Sequence, residues 1–529
     1  MTILSNRLST MSHLFPDALA IPPLTAPSSL VLTVVLVLVA LAVHQWPTRR
    51  EGSPPLVRGL PIIGVLPWLL DTHAYFLSLM ARKGPIFTLS VWTYRIHVIL
   101  DPRAVPSVLS SESALSFREI ERWIDDSFFN YPASVTAHDD LEFRALEGTA
   151  RAHLVGKASL KDLTETYLDV LHDLLEQQAF PHDEDDDDDD EDGDGKGKGG
   201  WIEVELFDWV RRLVFTASSK ALFGPNFPAT EVMDVYWNFE ASLSEFLFLP
   251  SLLLGRQRRV RDRLHRLLAT HVETHSGFPG CSSMIRDRVR LGREFGYSSL
   301  DIAKTNVDIL FALQANATPM AFWSLAHLLT ATEPYLSPAL LSLSVPHQQH
   351  QPEQDYSDAH TYRSRILTAL DDPSTTAVYE ECLRLHAHAS LLRKCTRATT
   401  VGGFVVLPGD LAVVPVATLH HAPGIWHRPS DFLPDRFGAY SDGRHRTPEA
   451  QDLRKAQVLV PFGGGVHYCP GRHFAKVEIM ALTLSALDLF EMEALDPLPS
   501  GWDPRRYGSG TQQPIAKMRV RMRRKRASS

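Results

Sequence analysis

The residues with the clearest chemistry lie near the carboxyl end, in the run Phe462-Gly463-Gly464-Gly465-Val466-His467-Tyr468-Cys469-Pro470-Gly471. An aromatic ring, a glycine-rich bend, one basic side chain and a cysteine ahead of an apolar helix together suit an iron-thiolate anchor. Glycine lets the backbone pass close beneath a flat ligand at φ values closed to other residues, and its amides can point at sulfur. Cys469 opens the helical stretch Phe474 to Leu489, so the positive end of that helix favours thiolate over thiol. Pro470 then fits the first turn. A thiolate that pushes electron density onto haem iron favours O–O cleavage. Taken singly, the cysteine reads as a buried structural residue; the ten-residue constellation reverses that reading.

The stretch resembles the haem-binding signature of the cytochrome P450 family, F-x-x-G-x-[RH]-x-C-x-G, and matches it at Phe462, Gly465, His467, Cys469 and Gly471. The resemblance implies that Cys469 is the axial ligand and that Phe462 covers the proximal side. His467 would hold a haem propionate where arginine is commoner.

Glu381 and Arg384 stand three apart on one helix face, where they can touch. Alone, such a pair is usually a surface contact of little worth. Downstream come strand-like Phe404 to Val406, a Pro408-Gly409 pair with type II turn chemistry, and Phe432-Leu433-Pro434-Asp435-Arg436-Phe437. That order is similar to the family's E-x-x-R helix, small hairpin sheet and P-E-R-F segment, with Asp435 in place of glutamate. The resemblance implies a buried, structural ionic triad of Glu381, Arg384 and Arg436 that locks the loop leading to Cys469. Arg393 would reach a propionate, with Lys394 and Arg397 as competitors. The family's W-x-x-x-R on an early helix is absent. Arg144 and Arg151 lie in that region without the tryptophan and stay unassigned.

A long helix is expected from about Leu300 to Thr332, with Ser298 and Ser299 as caps. Its centre reads Ala312-Leu313-Gln314-Ala315-Asn316-Ala317-Thr318-Pro319. Pro319 has no amide hydrogen and clashes with the carbonyl of Ala315. A kink there would leave a free acceptor beside Asn316, with room for O2 and an ordered water. Most family members carry A-G-x-[DE]-T at this point, an acid–alcohol pair that relays protons; here Ala315 and Asn316 stand in its place. The pattern A-x-Q-A-N-x-x-P-x-x-F-W resembles the branch holding cholesterol 7α-hydroxylase, oxysterol hydroxylases and prostacyclin synthase. Ala315, through its carbonyl, and Asn316 are the candidate distal residues. Asparagine can orient a water but is a poor proton donor, so the departure leaves the reaction type open between hydroxylation and rearrangement.

Composition sets wider bounds. The 529 residues are 44% hydrophobic, enough for a large core, and leave one to three domains open. Four cysteines (Cys281, Cys382, Cys395, Cys469) without paired spacing suit reduced thiols on the cytosolic side. The net charge of −9 comes from eleven acidic residues between Asp183 and Asp194; the remainder is nearly neutral, which removes any global charge argument for nucleic acid.

Along the chain, residues 1–27 form a lead and 28–46 an apolar run close to the ~20 residues that span a bilayer. Arg49 and Arg50 follow, so the positive-inside rule puts the bulk of the chain in the cytosol. The absence of a small-residue cleavage pattern argues against a cleaved signal peptide. Residues 47–67, rich in proline and glycine, read as a stiff hinge. The catalytic domain is expected at 68–518, with a strand hairpin at Ile86 to Leu89 and Ile96 to Leu100. An acidic surface insertion is expected at 182–200 and a Gln- and His-rich loop at 345–360. The basic run from Arg519 reads as a solvated tail, 519–529.

The resemblance thus implies a mainly helical fold with smaller β-sheets behind one transmembrane helix in the endoplasmic reticulum membrane. It implies haem b, and NADPH-derived electrons from cytochrome P450 reductase docked near Arg472 and Lys476. The activity implied is insertion of one oxygen atom from O2 into a lipophilic substrate of sterol, terpenoid or polyketide type, in sterol or specialised metabolism. The alternatives are a same-fold isomerase or dehydratase needing no external electrons, and a haem-free membrane scaffold.

Overall fold

The computed structural model describes residues 50–57, 72–91, 94–110, 113–133, 135, 140–180, 200–249, 251–275, 277–331, 359–437, 458–501, 508 and 510–525. The expected anchor at 28–46 lies outside them, as do the acidic insertion up to residue 199 and the 345–358 stretch. Among the described residues no helix is long and apolar enough to cross a membrane.

The longer helices are α1 (Thr72–Lys83), α2 (Asp140–Val155), α3 (Lys157–Glu176), α4 (Leu206–Phe223), α5 (Ala229–Glu240) and α6 (Gly255–Thr274). They continue with α7 (Ser283–Glu294), α8 (Ser299–Thr330), α9 (Ala359–Asp371), α10 (Pro373–His386) and α11 (Arg472–Leu489). The strands are β1 (Leu56–Val57), β2 (Ile86–Val91), β3 (Tyr94–Ile99), β4 (Leu115–Ser116), β5 (Ile202–Glu205) and β6 (Ser390–Cys395). After them come β7 (Thr399–Val401), β8 (Phe404–Val406), β9 (Leu411–Pro415), β10 (Phe490–Ala494) and β11 (Arg519–Arg524). The fold is mainly helical with smaller sheets: β1-β2-β3-β9-β6-β4, β10-β11-β5 and β7-β8.

Helix α8 is the spine. Ser298 caps it by accepting the Asp301 N–H at 3.2 Å and donating to the Asp301 carboxylate at 2.7 Å. Its second half is buried on nearly every face, as an apolar helix inside a large core must be. The helix continues through Pro319 to Thr330. Tyr167 of α3, Val210 of α4, Leu310 and Phe322 of α8 and Met480 of α11 are fully buried in this helical core. A second core, with Phe87, Val98, Val414 and Val460, lies on the six-stranded sheet.

The expected hairpin is present as β2 and β3, antiparallel with Ile86 opposite Ile99. The Pro408-Gly409 turn closes with Asp410 N–H donating to the Leu407 carbonyl at 3.0 Å, Gly409 holding φ at +87°.

Three expectations need correction. The basic run is not a solvated tail: Arg519–Arg524 is the middle strand of a three-stranded sheet. Apolar Val520 and Met522 alternate with the arginines and are fully buried, a period-2 pattern hidden by the charge count. Part of the expected hinge is docked rather than free. Leu56–Val57 pairs parallel with β2, and Arg50 meets Asp410 at 3.1 Å. Pro470 is not in the first turn of α11, because Gly471 is the cap and its carbonyl takes the Ala475 N–H at 2.8 Å.

Candidate functional site

The loop before α11 joins the two cores, since Val460 belongs to the sheet core while Phe462 packs on the helical one. Gly463 and Gly465 hold φ at +72° and +66°. A Cβ on Gly465 would lie 1.8 Å from the Leu109 carbonyl oxygen, so only glycine lets the loop pass. The Cys469 N–H donates to the Phe462 carbonyl at 3.1 Å, which closes the loop on itself.

Cys469 is half-buried, and the backbone N–H groups of Gly471 and Arg472 reach its sulfur. Burial nevertheless raises the thiol above its usual range, against those amides and the Arg472 charge. Desolvation thus opposes the thiolate that the helix end favours, and a ligated cation is what would deprotonate this sulfur.

Beside the loop lies a cationic corner. His467 meets the Phe117 ring edge-on at 5.3 Å, and the Arg393 guanidinium sits 5.2 Å from the same ring. Arg151 donates to the Val466 carbonyl at 2.7 Å. Burial, then the charges of Arg393, Arg151 and Arg118, push His467 down to about 4, so the imidazole is neutral at pH 7. Burial lowers Arg393 to about 10, with Glu121 opposing. Among the described residues no carboxylate lies within ion-pair distance of Arg393, although it is only 5% exposed. Glu121 pairs with Arg118 at 3.3 Å and Glu147 with Arg151 at 3.6 Å. Burial and Glu147 lift Glu121 to about 7.

Strand alternation settles which cation of β6 points inward. Arg393 is buried, Lys394 pairs with Glu119 at 3.4 Å, and Arg397 is exposed. Of the two unassigned arginines, Arg151 reaches the cysteine loop, whereas Arg144 lies exposed. Arg118 was not anticipated, because its run carries no motif and its place depends on packing far along the chain.

On the opposite side, Ala312 and Asn316 are exposed in the middle of a buried helix, four apart and so on one face. Ala315 is fully buried. The Asn316 Oδ1 accepts the Thr511 N–H at 2.8 Å, so half of the amide is already engaged in holding the 508–512 segment. Gly510, at φ +118°, leaves space that a Cβ would take, 1.9 Å from that oxygen.

The triad residues meet. Arg384 Nε and Nη2 donate to Glu381 Oε2 and Oε1 at 2.8 Å each, and Arg436 Nε reaches Oε1 at 3.2 Å. Arg384 also donates to the carbonyls of His420, Pro429 and Asp431, and the Leu433 N–H donates to Glu381. The helix α10 is thereby tied to the segment ahead of the cysteine loop.

Lys476 differs from expectation as a docking cation. Its Nζ donates to the Leu370 carbonyl at 3.0 Å and to Thr376 Oγ1 at 2.8 Å, tying α11 to α9 and α10. Arg472 turns back to the Cys469 carbonyl at 2.8 Å and lies 4.4 Å from the Tyr468 ring.

These residues fit a haem. They offer a sulfur with two amides aimed at it, an exposed loop surface at Gly465 and Val466, a buried arginine without an anion, and an open stripe on α8. Such an arrangement belongs to enzymes that hold haem by a cysteine thiolate.

Residues 54–265 and 371–504 match the Cytochrome P450 family, and the chain belongs to it. It is a cytochrome P450 monooxygenase, of a family that carries haem and takes its electrons from a reductase. The 7-alpha-hydroxycholest-4-en-3-one 12-alpha-hydroxylase of Homo sapiens is 28% identical over 503 residues, covering 90% of this chain and 94% of that protein. Cytochrome P450 7B1 of Mus musculus is 25% identical over 512 residues, covering 94% and 96%. Cytochrome P450 monooxygenase efuG of Hormonema carpetanum is 26% identical over 541 residues, covering 92% of each. The likeness to 12-alpha-hydroxylases of cholestane-type compounds agrees with the branch read from the Ala312 to Trp323 pattern.

Proposed function

We propose that this chain is a membrane-bound haem-thiolate monooxygenase of the endoplasmic reticulum, its catalytic body cytosolic, that hydroxylates a lipophilic substrate of sterol, terpenoid or polyketide type. The observation that carries the reading is the Cys469 loop, with two amides on the sulfur and a glycine where no side chain fits. When bound, haem b supplies the activation of O2, with two electrons from NADPH by way of cytochrome P450 reductase. Cys469 ligates the iron, and the N–H groups of Gly471 and Arg472 moderate the sulfur's charge. Arg393, His467 and Arg151 hold the propionates by charge and hydrogen bonding. Phe462 shields the sulfur from water. Asn316 keeps its Oδ1 on Thr511 and turns its Nδ2 to a distal water, beside the Ala315 carbonyl that Pro319 deprives of a partner. The Glu381–Arg384–Arg436 triad fixes the loop and takes no part in the chemistry.

Asn316, which is no acid, favours the second reading, a same-fold isomerase needing no external electrons. The test is stoichiometry with purified protein, reductase and a substrate drawn from a binding-spectrum screen of hydrophobic candidates. The proposal predicts one NADPH and one O2 consumed per product; turnover without O2 or reductase would overturn it.

A further inference from the structure

The segment that follows the apolar run is gripped by two separate sheets. The Val405 N–H of β8 donates to the Gly52 carbonyl at 2.8 Å, and the Thr88 N–H of β2 donates to the Pro55 carbonyl at 2.9 Å. Leu56 and Val57 then pair parallel with β2. Between these points the Ser53 hydroxyl closes a turn on the Arg50 carbonyl at 2.6 Å.

Asp410 sits at the centre of the grip. It is 6% exposed, and its carboxylate accepts Arg50 Nη1 at 3.1 Å, His97 Nε2 at 3.2 Å and the Leu407 N–H at 3.2 Å. Burial holds His97 below its usual range, against the pull of Asp410, so the ring is neutral at pH 7. Its Nε2–H therefore goes to Asp410, and its Nδ1 accepts the Thr88 hydroxyl at 2.9 Å. A buried carboxylate is costly without a cation. Among the described residues Arg50 is the only permanent cation within ion-pair distance of Asp410. It is brought there from 360 residues away in sequence.

The apolar run ends at residue 46, four residues before Arg50. At ~3.5 Å per extended residue, that end lies within about 14 Å of Arg50. A connector free to bend would let the body take any attitude within that reach. One held at Arg50, Gly52, Pro55 and Leu56 does not.

We propose that residues 50–57 form a rigid strut clasped by Asp410, and that the strut lays the corner carrying Arg50 and the β7–β8 hairpin against the bilayer. The proposal rests on the membrane-bound reading above and adds which face of the body meets the lipid. Thr400 and Val405 stand directly opposite each other on that hairpin, both exposed, and Arg50 is half-exposed. An aliphatic side chain beside a guanidinium suits the headgroup zone, where the cation finds phosphate.

The test uses the haem-loaded full chain in phosphatidylcholine vesicles, with the photo-cross-linker p-benzoylphenylalanine in place of Thr400 or, as a control, of exposed Arg290 on α7. The probe at Thr400 should cross-link to lipid and the probe at Arg290 should not. Arg50→Gln should lower the lipid yield at Thr400 severalfold, and Arg50→Lys, which keeps the charge, should restore most of it. Haem content should stay the same in both variants. Hydrogen exchange reads the clasp directly: the Thr88 and Val405 amides should exchange about fivefold faster in Arg50→Gln, the worth of one net hydrogen bond. Equal lipid yields at the two probe positions, cross-links from Thr400 to a second protein molecule instead of lipid, or a yield and exchange unmoved by Arg50→Gln would overturn the strut while leaving the membrane reading standing. A wild-type chain that does not float with the vesicles would overturn the membrane reading and the strut together.

Discussion

Replacing Arg384 by alanine should do more damage than any exposed charge deletion. Arg384 and Glu381 both have side chains with 0% exposure. The substitution removes two hydrogen bonds to the Glu381 carboxylate and frees the carbonyls of His420, Pro429 and Asp431. Among the described residues Glu381 would keep Arg436 at 3.2 Å and the Leu433 N–H at 2.8 Å. Breaking a buried pair by removing one partner costs about 3–5 kcal/mol. The orphaned carbonyls add to that, against a total folding stability of about 5–15 kcal/mol. The chain should therefore lose haem or fail to accumulate. The assay is haem per mole of purified protein together with the urea midpoint. Arg290→Ala, which removes a surface pair with Glu294, should change neither quantity. The double variant Glu381→Leu with Arg384→Met should not recover the loss, because Arg436 and the Leu433 N–H then lose the Glu381 carboxylate as well. An Arg384→Ala protein with full haem content and an unmoved midpoint would refute the reasoning.

Other expectations follow from single residues. Gly465→Ala puts a methyl 1.8 Å from the Leu109 carbonyl at φ +66°, so haem content should collapse, whereas Gly424→Ala, with open space around it, should keep it. Asn316→Ala leaves the Thr511 N–H, in a residue 4% exposed, without its acceptor, which should cost about 1–3 kcal/mol in a melting or urea assay and lower the yield of product per NADPH. Glu478 is buried, its carboxyl accepts the Ser218 hydroxyl at 2.5 Å, and burial lifts that carboxyl to about 8. Its contribution to stability is present in full below an unfolded value near 4.5 and is lost as pH rises toward 8. Glu478→Gln should thus gain on the wild type by about 1.4 kcal/mol per pH unit within that window and level off above it, as urea unfolding at pH 5 to 9 would report.

The cysteine loop was readable from sequence because its chemistry is local: ten consecutive residues supply ligand, bend and cover. The triad was nearly as readable, since Glu381 and Arg384 share a helix face and Arg436 follows in a short motif. Arg118 could not be found that way. Its meaning comes from His467, 349 residues further along the chain, which only packing brings near. The Arg519 run was misread because counting charge hid the alternation with Val520 and Met522. Lys476 was misread for a related reason: its position on α11 was right, but the carbonyl of Leu370 that holds it belongs to another helix. In the Asn316 helix the sequence showed the missing acid, yet not that Thr511 would occupy the asparagine's oxygen.

The most direct check on the central claim is the reduced, carbon monoxide-bound spectrum of the purified holoprotein and of Cys469→Ser. The wild type should display the red-shifted Soret band of an iron trans to thiolate, and the serine variant should lose it along with turnover. An identical band in the two proteins would contradict the account.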